Sequence, residues 1–388
     1  MQSFSFHTPT EIIFGKGEEK KTAQLVKKYG GTKVFTVYGG GSAEKSGLLK
    51  KITDSFDSEN IQYARFGGAQ PNPLLSHARE GIKAAAAFGA DFILAVGGGS
   101  AIDTAKAIAH GVKNPDTDIW KFWKREAEVT QSLPVGAVLT ISAAGSETSN
   151  SAVLTNSETG EKRGLTIEFN RPRFAVMNPE LTYSVPKFHT ACGIADMMMH
   201  TLDRYFQQES GQNELTDAIA AGLLKTVIKN GRILLDDPQN YDAASEIMWS
   251  GSISHNGITG LGRPVDFSVH QLGQELSGRF DAVHGASLTA VWGFWAEYVC
   301  GENPSRFKKY ANEVWNVKTA GAGIEKTVSF FKSIGMPVCF TGLGIGILSD
   351  SVLSELADSC VFFGKRLVGN CKPLDKSDVF NIYKSANR

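Results

Sequence analysis

The sequence predicts an α/β N-terminal domain with a parallel sheet, followed by an all-helical C-terminal domain. Short apolar runs alternate with helical periodicity up to about residue 177, which is typical of repeated strand–helix–strand units. From about Pro186 onwards the pattern is almost entirely helical, because apolar residues recur with a period near that of the α-helix. The length of 388 residues fits two domains, which we place at residues 1–185 and 186–388.

The first half contains strand candidates separated by amphipathic helices. The predicted strands are Thr32–Tyr38, Gln62–Phe66, Asp91–Val96, Val135–Thr140 and Arg173–Met177, and Val153–Arg163 is predicted to be a hairpin. The predicted helices are Glu18–Tyr29, a stretch that ends near Phe56, Pro73–Phe88 and Ala101–Gly111. Right-handed crossovers place every strand-to-helix turn at one edge of a parallel sheet, so we expect ligands there.

The second half is predicted to be a succession of helices, with Gly and Pro between them rather than inside them. The predicted helices are Ile194–Gln207, Leu215–Asn230, Ala243–His255, Phe267–Leu276, Ser287–Val299, Pro304–Asn316, Ile324–Ile334, Leu348–Cys360 and Lys376–Ala386.

The composition excludes several classes of function. Forty basic and forty acidic side chains cancel, so no charge surplus favours nucleic-acid binding. The N-terminus lacks the pattern of a signal peptide, and no apolar run approaches the ~18 residues of a membrane span. Five scattered cysteines without a CxxC pair fit reduced thiols. We therefore expect a cytoplasmic protein that binds neither nucleic acid nor membrane.

A glycine-rich turn follows the most apolar predicted strand. Gly97-Gly98-Gly99-Ser100 opens the predicted helix that contains Asp103. Glycines let the backbone approach a pyrophosphate closely, and the N–H groups at a helix start attract anions. Ser100 and Asp103 have the spacing of a capping box, which would hold the turn rigid. The turn is therefore a candidate phosphate site, with a plain capped turn as the alternative.

A second glycine-rich run, Gly39-Gly40-Gly41-Ser42, follows an earlier predicted strand. Sites that prefer NAD often place an acidic side chain near the adenosine ribose, and this run contains none. The run therefore favours NADP, although it can also be a plain turn.

Two polar residues outside these turns are weaker candidates for ligand contacts. Asn72 lies between two prolines in a rigid, extended segment, where it can contact a ligand or only cap the loop. Lys162 follows the predicted hairpin turn. It can meet a ribose or a phosphate there, or contact nothing, as is usual for an exposed lysine.

A carboxylate and three imidazoles in the second half have the character of metal ligands. Asp196 and His200 are four residues apart, which places both on one face of a helix. His270 and His284 follow, around a break that we expect at Gly278. Together the four side chains suit Zn²⁺ or Fe²⁺, although an Asp/His pair at this spacing is also common on helix surfaces.

Taken together, these motifs resemble the iron-containing (group III) alcohol dehydrogenase family over nearly the whole chain. Their order and spacing are more specific than any single motif. Tyr38 to Ser42 and Gly260 to Asp266 are most similar to the NADPH-dependent butanol dehydrogenase and aldehyde reductase branch. The residues that carry the resemblance are the GGGSAID run at 97–103, Pro71-Asn72-Pro73, Gly145-Ser146-Glu147, Lys162, Gly193 to Asp196 with His200, His270, and His284-Gly285.

The resemblance implies a dehydroquinate synthase-like fold, in which an N-terminal dinucleotide-binding domain and a helical domain hold a cofactor and a metal between them. It implies that the metal ligands in the catalytic site are Asp196, His200, His270 and His284. Gly39 and Ser42 would take the adenosine end of NADP(H). The other implied cofactor contacts are Asn72, Gly97, Gly98, Gly99, Ser100, Asp103, Thr140, Ser149 and Lys162. The resemblance also implies a homodimer.

The implied activity is hydride transfer between NADP(H) and a small or medium-chain alcohol or aldehyde, with Fe²⁺ or Zn²⁺ as the Lewis acid. Glycerol dehydrogenase-like and dehydroquinate synthase-like chemistry are the alternatives among enzymes. The second needs a basic cluster beside the metal, for which Arg263 and Arg279 are candidates. A nucleotide-binding sensor or scaffold without turnover is the alternative outside enzymes.

The sequence departs from the family pattern at three positions. Ala144 stands where the branch often has threonine, which puts one cofactor contact in doubt. Gln274 stands where many members have a second histidine, four residues after the third ligand. Glutamine cannot titrate, so a proton path through this position is in doubt. Asn178 replaces the aspartate of an Asp-Pro pair, and we expect it to have a structural role.

Overall fold

The computed structural model describes residues 1–208 and 211–388. Its contacts divide the chain into two compact units, His7–Val185 and Pro186–Arg388, and Met1–Phe6 groups with the second. The backbone N–H of Gln2 donates to the carbonyl oxygen of Gly262 at 2.9 Å. The first residues of the chain, which the sequence placed in the N-terminal domain, therefore pack with the second unit.

The first unit contains a six-stranded parallel sheet and a separate two-stranded antiparallel hairpin. The strands are β1 Glu11–Phe14, β2 Lys33–Tyr38, β3 Gln62–Phe66, β4 Phe92–Gly97, β5 Val135–Leu139, β6 Ser151–Asn156, β7 Glu161–Thr166 and β8 Phe174–Met177. The order in the sheet is β1-β8-β5-β4-β2-β3, and β6 pairs with β7. The parallel α/β architecture predicted from the sequence is thus confirmed.

The burial of each strand explains whether it could be predicted from the sequence. Every residue of β4 and β5 is buried, which matches the continuous apolar runs expected in the interior of a parallel sheet. By contrast, β1 is a four-residue edge strand with only partly buried side chains. Its sequence shows neither a long apolar run nor an alternation, so the sequence did not predict it.

Helices flank the strands of the first unit and complete two apolar clusters. The helices are α1 Thr22–Lys28, α2 Ser42–Lys45, α3 Leu48–Ser58, α4 Leu75–Phe88, α5 Gly99–Lys113 and α6 Trp120–Trp123. One cluster joins Val26 and Phe56 to Phe92 of β4. The other joins Ala107 and Trp123 to the hairpin. Burial of this apolar surface provides the main stabilisation of the unit.

The second unit is helical, as the sequence predicted. Its helices are α7 Lys187–Tyr205, α8 Glu214–Asp236, α9 Tyr241–His255, α10 Ser268–Phe280, α11 His284–Val299, α12 Pro304–Trp315, α13 Ala320–Ser333, α14 Phe340–Leu343, α15 Asp350–Cys360 and α16 Lys376–Ala386. Helix α7 contacts α8, α9, α10 and α11. It is buried without interruption from Ala191 to Tyr205, so it forms the centre of this unit.

Two predictions about helix ends are wrong. Gly278 does not break a helix but lies inside α10, and the break comes at residues 281–283. Glycines also lie inside other helices, where we expected them only between helices. Gly231 of α8, for example, faces Ile194 of α7, because a close helix contact can require a position without a side chain.

Among the described residues, no helix combines the length and apolar character needed to cross a membrane.

Candidate metal and cofactor sites

The four side chains predicted to bind metal lie together in the second unit. The Nε2 atoms of His200, His270 and His284 lie 3.8, 3.6 and 3.7 Å from Oδ1 of Asp196. Three helices therefore bring three imidazole nitrogens to one carboxylate oxygen.

The local sequence explains why these side chains meet. Asp196 and His200 lie on α7 at a spacing that places them on one face, and His284 is the first residue of α11. Helix α11 begins very close to α7. A Cβ atom on Gly285 would lie only 2.3 Å from the carbonyl oxygen of Cys192. Only glycine fits at position 285, and its small size lets His284 reach Asp196.

The cluster fits a metal ion. Ligand atoms bonded to one ion at about 2.1 Å in tetrahedral geometry lie about 3.4 Å apart, and the three Asp–His separations are slightly longer. The ligand atoms of Asp196, His270 and His284 all lie within 4.8 Å of one another, and His200 lies outside this group. The side chains of Asp196, His200 and His270 are only 5–7% exposed, whereas that of His284 is 28% exposed. Among the described residues, the Nε2 atom of His270 is buried without a hydrogen bond. A cation would satisfy this nitrogen and neutralise the buried carboxylate.

The electrostatics of the cluster also favour a cation. Burial, with the neighbouring imidazoles His255 and His270, holds the pKa of His200 well below its usual value. Burial also acts against charge on His270, but the carboxylates of Asp196 and Asp203 outweigh it and raise the pKa of His270 to about 9. In the protein alone, a proton on His270 thus supplies positive charge that a bound metal ion would provide instead.

The sequence did not predict three residues that contact the ligands. Asp203 accepts a hydrogen bond from Nδ1 of His270 at 2.6 Å. The ring of His255 lies 3.9 Å from that of His200, between ring centroids. Arg204 lies 3.1 Å from Nδ1 of His255 and donates to the carbonyl oxygen of His200. Asp203 and Arg204 lie three and four residues after His200 on α7, but nothing in their spacing indicates which partner each would meet.

The two arginines considered for an anionic substrate are engaged in ion pairs. Arg263 is buried and lies 2.5 Å from Asp217. Arg279 is exposed and lies 3.8 Å from Glu355. The acidic partners of both arginines, Asp217 and Glu355, are not among the four proposed metal ligands.

Three of the predicted cofactor residues lie at the carboxyl edge of the parallel sheet in the first unit. Gly39 follows β2, Gly97 ends β4, and Thr140 follows β5, and β4 lies between the other two strands. A Cβ atom on Gly97, whose φ is 159°, would lie 2.7 Å from Cβ of Ala101. Gly98 is the N-cap of α5, and Gly99 and Ser100 form its first turn. Ligands bind at this edge of parallel α/β sheets.

The predicted capping box at the start of α5 is wrong. The N-cap residue is Gly98, without a side-chain hydrogen bond to the helix. The carboxylate of Asp103 instead accepts hydrogen bonds from Oγ of Ser146 at 2.6 Å and from the backbone N–H of Val153 at 2.9 Å. Long-range partners thus replace the local cap, and Asp103 attaches the loop around Ser146 to α5.

A buried lysine reinforces the same loop. Nζ of Lys106 donates to the carbonyl oxygen and Oγ of Ser146, both at 2.8 Å, and to the carbonyl oxygen of Ser151 at 2.7 Å. Burial lowers the pKa of Lys106 to about 8, although the carboxylate of Asp103 acts in the opposite direction. Ser149 lies in this loop and is buried, so Lys106 and Asp103 fix its position.

Three further cofactor candidates, Asn72, Lys162 and Ser42, lie in the first unit. Nζ of Lys162 donates to Oδ1 of Asn72 at 2.8 Å, and Asn72 has a positive φ of 56°. Ser42 is the first residue of the short helix α2. The structure therefore brings Asn72 and Lys162 into direct contact, which the sequence did not predict.

The three departures from the family pattern have different surroundings. Asn178 accepts from the backbone N–H of Glu180 and donates to Glu19 at 2.9 Å, which is the structural role expected. Ala144 lies beside Gly99, whose added Cβ atom would be 3.5 Å from that of Ala144. Gln274 is half-buried on α10, one turn after His270.

Comparison with known proteins identifies the class of protein. The model of the iron-containing alcohol dehydrogenase family matches residues 9–179, and that of the C-terminal part of the Fe-containing alcohol dehydrogenase family matches residues 190–387. NADH-dependent butanol dehydrogenase A of Clostridium acetobutylicum is 36% identical over 394 residues, which cover 100% of both chains. NADPH-dependent aldehyde reductase YqhD of Escherichia coli is 32% identical and covers 89% of this chain and 90% of its own.

Solved structures agree with these matches. The crystal structure of NADH-dependent butanol dehydrogenase A from Thermotoga maritima has a TM-score of 0.95 and 32% identity, over 100% of this chain and 99% of that one. A parallel sheet with glycine-rich turns and a separate His/Asp cluster are typical of dehydrogenases that use a nicotinamide cofactor and a metal. The chain belongs to the iron-containing alcohol dehydrogenase family. Its activity is that of an alcohol dehydrogenase or aldehyde reductase with a nicotinamide cofactor.

Proposed function

We propose that this protein is a metal-dependent aldehyde reductase that uses NADPH to reduce small or medium-chain aldehydes, and that it oxidises the corresponding alcohols in reverse. The observation that supports the metal site most directly is the approach of three imidazole Nε2 atoms to within 3.8 Å of one oxygen of Asp196. Names of relatives include butanol dehydrogenases and an aldehyde reductase, which supports this class of substrate.

In this proposal Asp196, His200, His270 and His284 hold Fe²⁺ or Zn²⁺. The ion would supply Lewis-acid polarisation of the substrate oxygen, and the nicotinamide would supply the hydride. The buried ligands of α7 and α10 exclude water from one side of the site. His284, with 28% of its side chain exposed, leaves the side from which a substrate can approach.

The residue at position 274 affects how the substrate oxygen can gain or lose its proton. Gln274 cannot take up or release a proton, and it occupies the position one turn after His270. We therefore propose that the proton is exchanged with water or a ribose hydroxyl rather than through a side chain at position 274.

The proposal includes a preference for NADP(H) over NAD(H). Residues 39–43 contain no acidic side chain, and the nearby Glu44 lies 3.6 Å from Arg65 and accepts from Tyr38 at 3.3 Å. Because Glu44 contacts these protein partners, we propose that it does not bind the adenosine ribose hydroxyls. This favours NADP(H) over NAD(H) at Gly39 and Ser42. Relatives are named as NADH-dependent and as NADPH-dependent, so kcat/KM must be compared for both cofactors. A higher value for NADH would overturn this preference.

For the rest of the cofactor we propose contacts from Gly97 to Ser100, Thr140 and the Asn72–Lys162 pair. Asp103 and Ser149 act in this proposal by fixing the loop beside α5, because their polar atoms already have partners within the unit. The first unit would thus serve as the dinucleotide-binding domain and the second as the metal-binding domain.

We further propose a cytoplasmic homodimer. The five cysteines are all free thiols in the structure, which supports a reducing compartment, and the dimer rests on the family resemblance. Light scattering of the purified protein tests the dimer, and fractionation of cells tests the location.

The experiment that tests the metal site compares His270→Ala with His189→Ala. His189 is an exposed histidine on α7, so its substitution controls for the loss of an imidazole. Purified wild-type and His189→Ala protein should contain about one Fe or Zn per chain and reduce aldehydes with NADPH. His270→Ala should lose the metal and the activity while its circular dichroism is unchanged. Unchanged turnover in His270→Ala would remove this residue from the ligand set. Any aldehyde reduction by the wild-type protein would exclude the alternative of a sensor or scaffold without turnover.

A further inference from the structure

Asp203 connects α7 and α10, two of the three helices that carry the proposed metal ligands. Its Oδ2 atom accepts from Nδ1 of His270 at 2.6 Å and from the backbone N–H of His270 at 3.3 Å. Its side chain is 1% exposed. Asp203 therefore holds both the ring and the backbone of His270 from a buried position.

The position of Asp203 follows from the helical repeat. Asp196, His200 and Asp203 are spaced by four and three residues on α7, which places all three on one face. The backbone carbonyl of Asp203 also accepts from the N–H of Asp266 at 2.8 Å, just before α10 begins. Two contacts thus fix the start of α10 relative to α7.

The hydrogen bond to Asp203 decides which nitrogen of His270 faces the ligand cluster. In a neutral imidazole one nitrogen carries the proton and the other has a lone pair. A carboxylate at Nδ1 keeps the proton on Nδ1, so the lone pair is on Nε2, and Nε2 is the atom 3.6 Å from Asp196. A carboxylate in this position also orients the ring and increases the basicity of a metal-binding nitrogen.

We infer that Asp203 is a positioning residue that orients His270 and fixes its tautomer for metal binding. The inference rests on the proposed metal site and deepens it. Asp203 does not bind the metal itself. Its carboxylate acts through His270, so its loss should weaken metal binding without removing a ligand.

The test measures Zn²⁺ affinity by competition with a chromophoric chelator, and the visible spectrum of the Co²⁺-loaded protein. The variants are Asp203→Ala, Asp203→Asn and His270→Ala. Asp217→Asn is the matched control, because Asp217 is a buried carboxylate of the same unit whose partners are Arg263, Arg306 and Lys309 rather than the ligand cluster. It should lower the melting temperature and leave the affinity and spectrum unchanged.

Asp203→Ala should weaken Zn²⁺ binding by about 10- to 100-fold and shift the Co²⁺ spectrum, because the ring of His270 is then free to rotate. Asp203→Asn should lose less affinity, since an amide oxygen can still accept from Nδ1. If Asp203→Ala does not fold, Asp203→Asn alone decides the question. Reduced affinity with a shifted spectrum supports the inference, and wild-type values of both overturn it.

The outcomes distinguish this inference from the proposed function. If His270→Ala loses Zn²⁺ while the folded Asp203 variants bind it like the wild type, Asp203 has only a structural role and the inference is wrong. If His270→Ala also binds Zn²⁺ with unchanged affinity and spectrum, the proposed metal site itself is wrong.

Discussion

Lys162 donates a hydrogen bond to Oδ1 of Asn72 at 2.8 Å, and this contact joins two of the residues proposed to bind the cofactor. Asn72 has a φ of 56°, a backbone conformation that costs energy for residues other than glycine and is often retained at functional sites. The lysine side chain thus helps to hold the Asn72 loop and presents a positive charge beside it.

Lys162→Met should raise the KM for NADPH, because both the charge and the support of Asn72 are lost. The kcat at saturating NADPH should change much less. Steady-state kinetics with varied NADPH measures both quantities. Lys50→Met, at an exposed lysine that pairs with Asp54, is the control and should leave both constants unchanged. An unaltered KM in Lys162→Met would exclude Lys162 from the cofactor site.

Lys106→Met should lower the melting temperature by about 6–12 °C. The substitution breaks a buried charged network, which costs about 3 kcal/mol, and each kcal/mol corresponds to about 2–4 °C in a domain of this size. Differential scanning calorimetry measures the shift. Lys113→Met, at an exposed position of the same helix, should change the melting temperature little. Equal effects of the two substitutions would contradict the role assigned to Lys106.

Gly285→Ala should reduce the metal content of the purified protein. The added methyl group would lie 2.3 Å from the carbonyl oxygen of Cys192, so α11 must move away from α7 and carry His284 with it. Gly222→Ala is the control, because a Cβ atom at this position of α8 would meet nothing within 4 Å. It should retain the metal and stabilise the protein by about 0.5–1 kcal/mol. Full metal content in Gly285→Ala would contradict the role assigned to Gly285 in placing His284.

Acidification should destabilise the first unit through His110. Burial lowers the pKa of His110 to about 4 in the folded protein, although its hydrogen bond with Asn170 partly opposes this. Between pH about 6.5 and 4 the unfolded chain therefore binds a proton that the folded chain does not. Stability falls across this range by about 3 kcal/mol.

Denaturant unfolding at several pH values measures this loss. His110→Gln should lessen the dependence between pH 6.5 and 4, because glutamine can hydrogen-bond but cannot titrate. His7→Gln, at an exposed histidine, should keep it. If His110→Gln shows the same pH dependence as the wild type, the loss arises from other groups.

The sequence predicted the features that depend on local pattern. Strands β4 and β5 were visible because both are fully buried and therefore apolar throughout. The glycine-rich turns were visible because a sharp turn at a strand end requires glycine. The four metal-ligand candidates came from the residue types, from the four-residue spacing of Asp196 and His200, and from the family resemblance.

Features set by long-range contacts could not be predicted. The capping box at Ser100 failed because Ser146 and Val153, far along the chain, compete for the carboxylate of Asp103. The contact of Asp203 with His270 was not predicted, for a similar reason. Its spacing from His200 indicates a shared helix face, but only the packing of α10 on α7 makes His270 its partner.

The proposed activity depends most on a metal ion held by Asp196 and the three histidines. The most direct test is to strip the purified protein with a chelator, restore Fe²⁺ or Zn²⁺ in steps, and follow NADPH oxidation with a panel of aldehydes. Stripped protein should be inactive, and activity should return in proportion to bound metal up to about one ion per chain. Metal-free protein that reduces aldehydes at the full rate would contradict the proposed function.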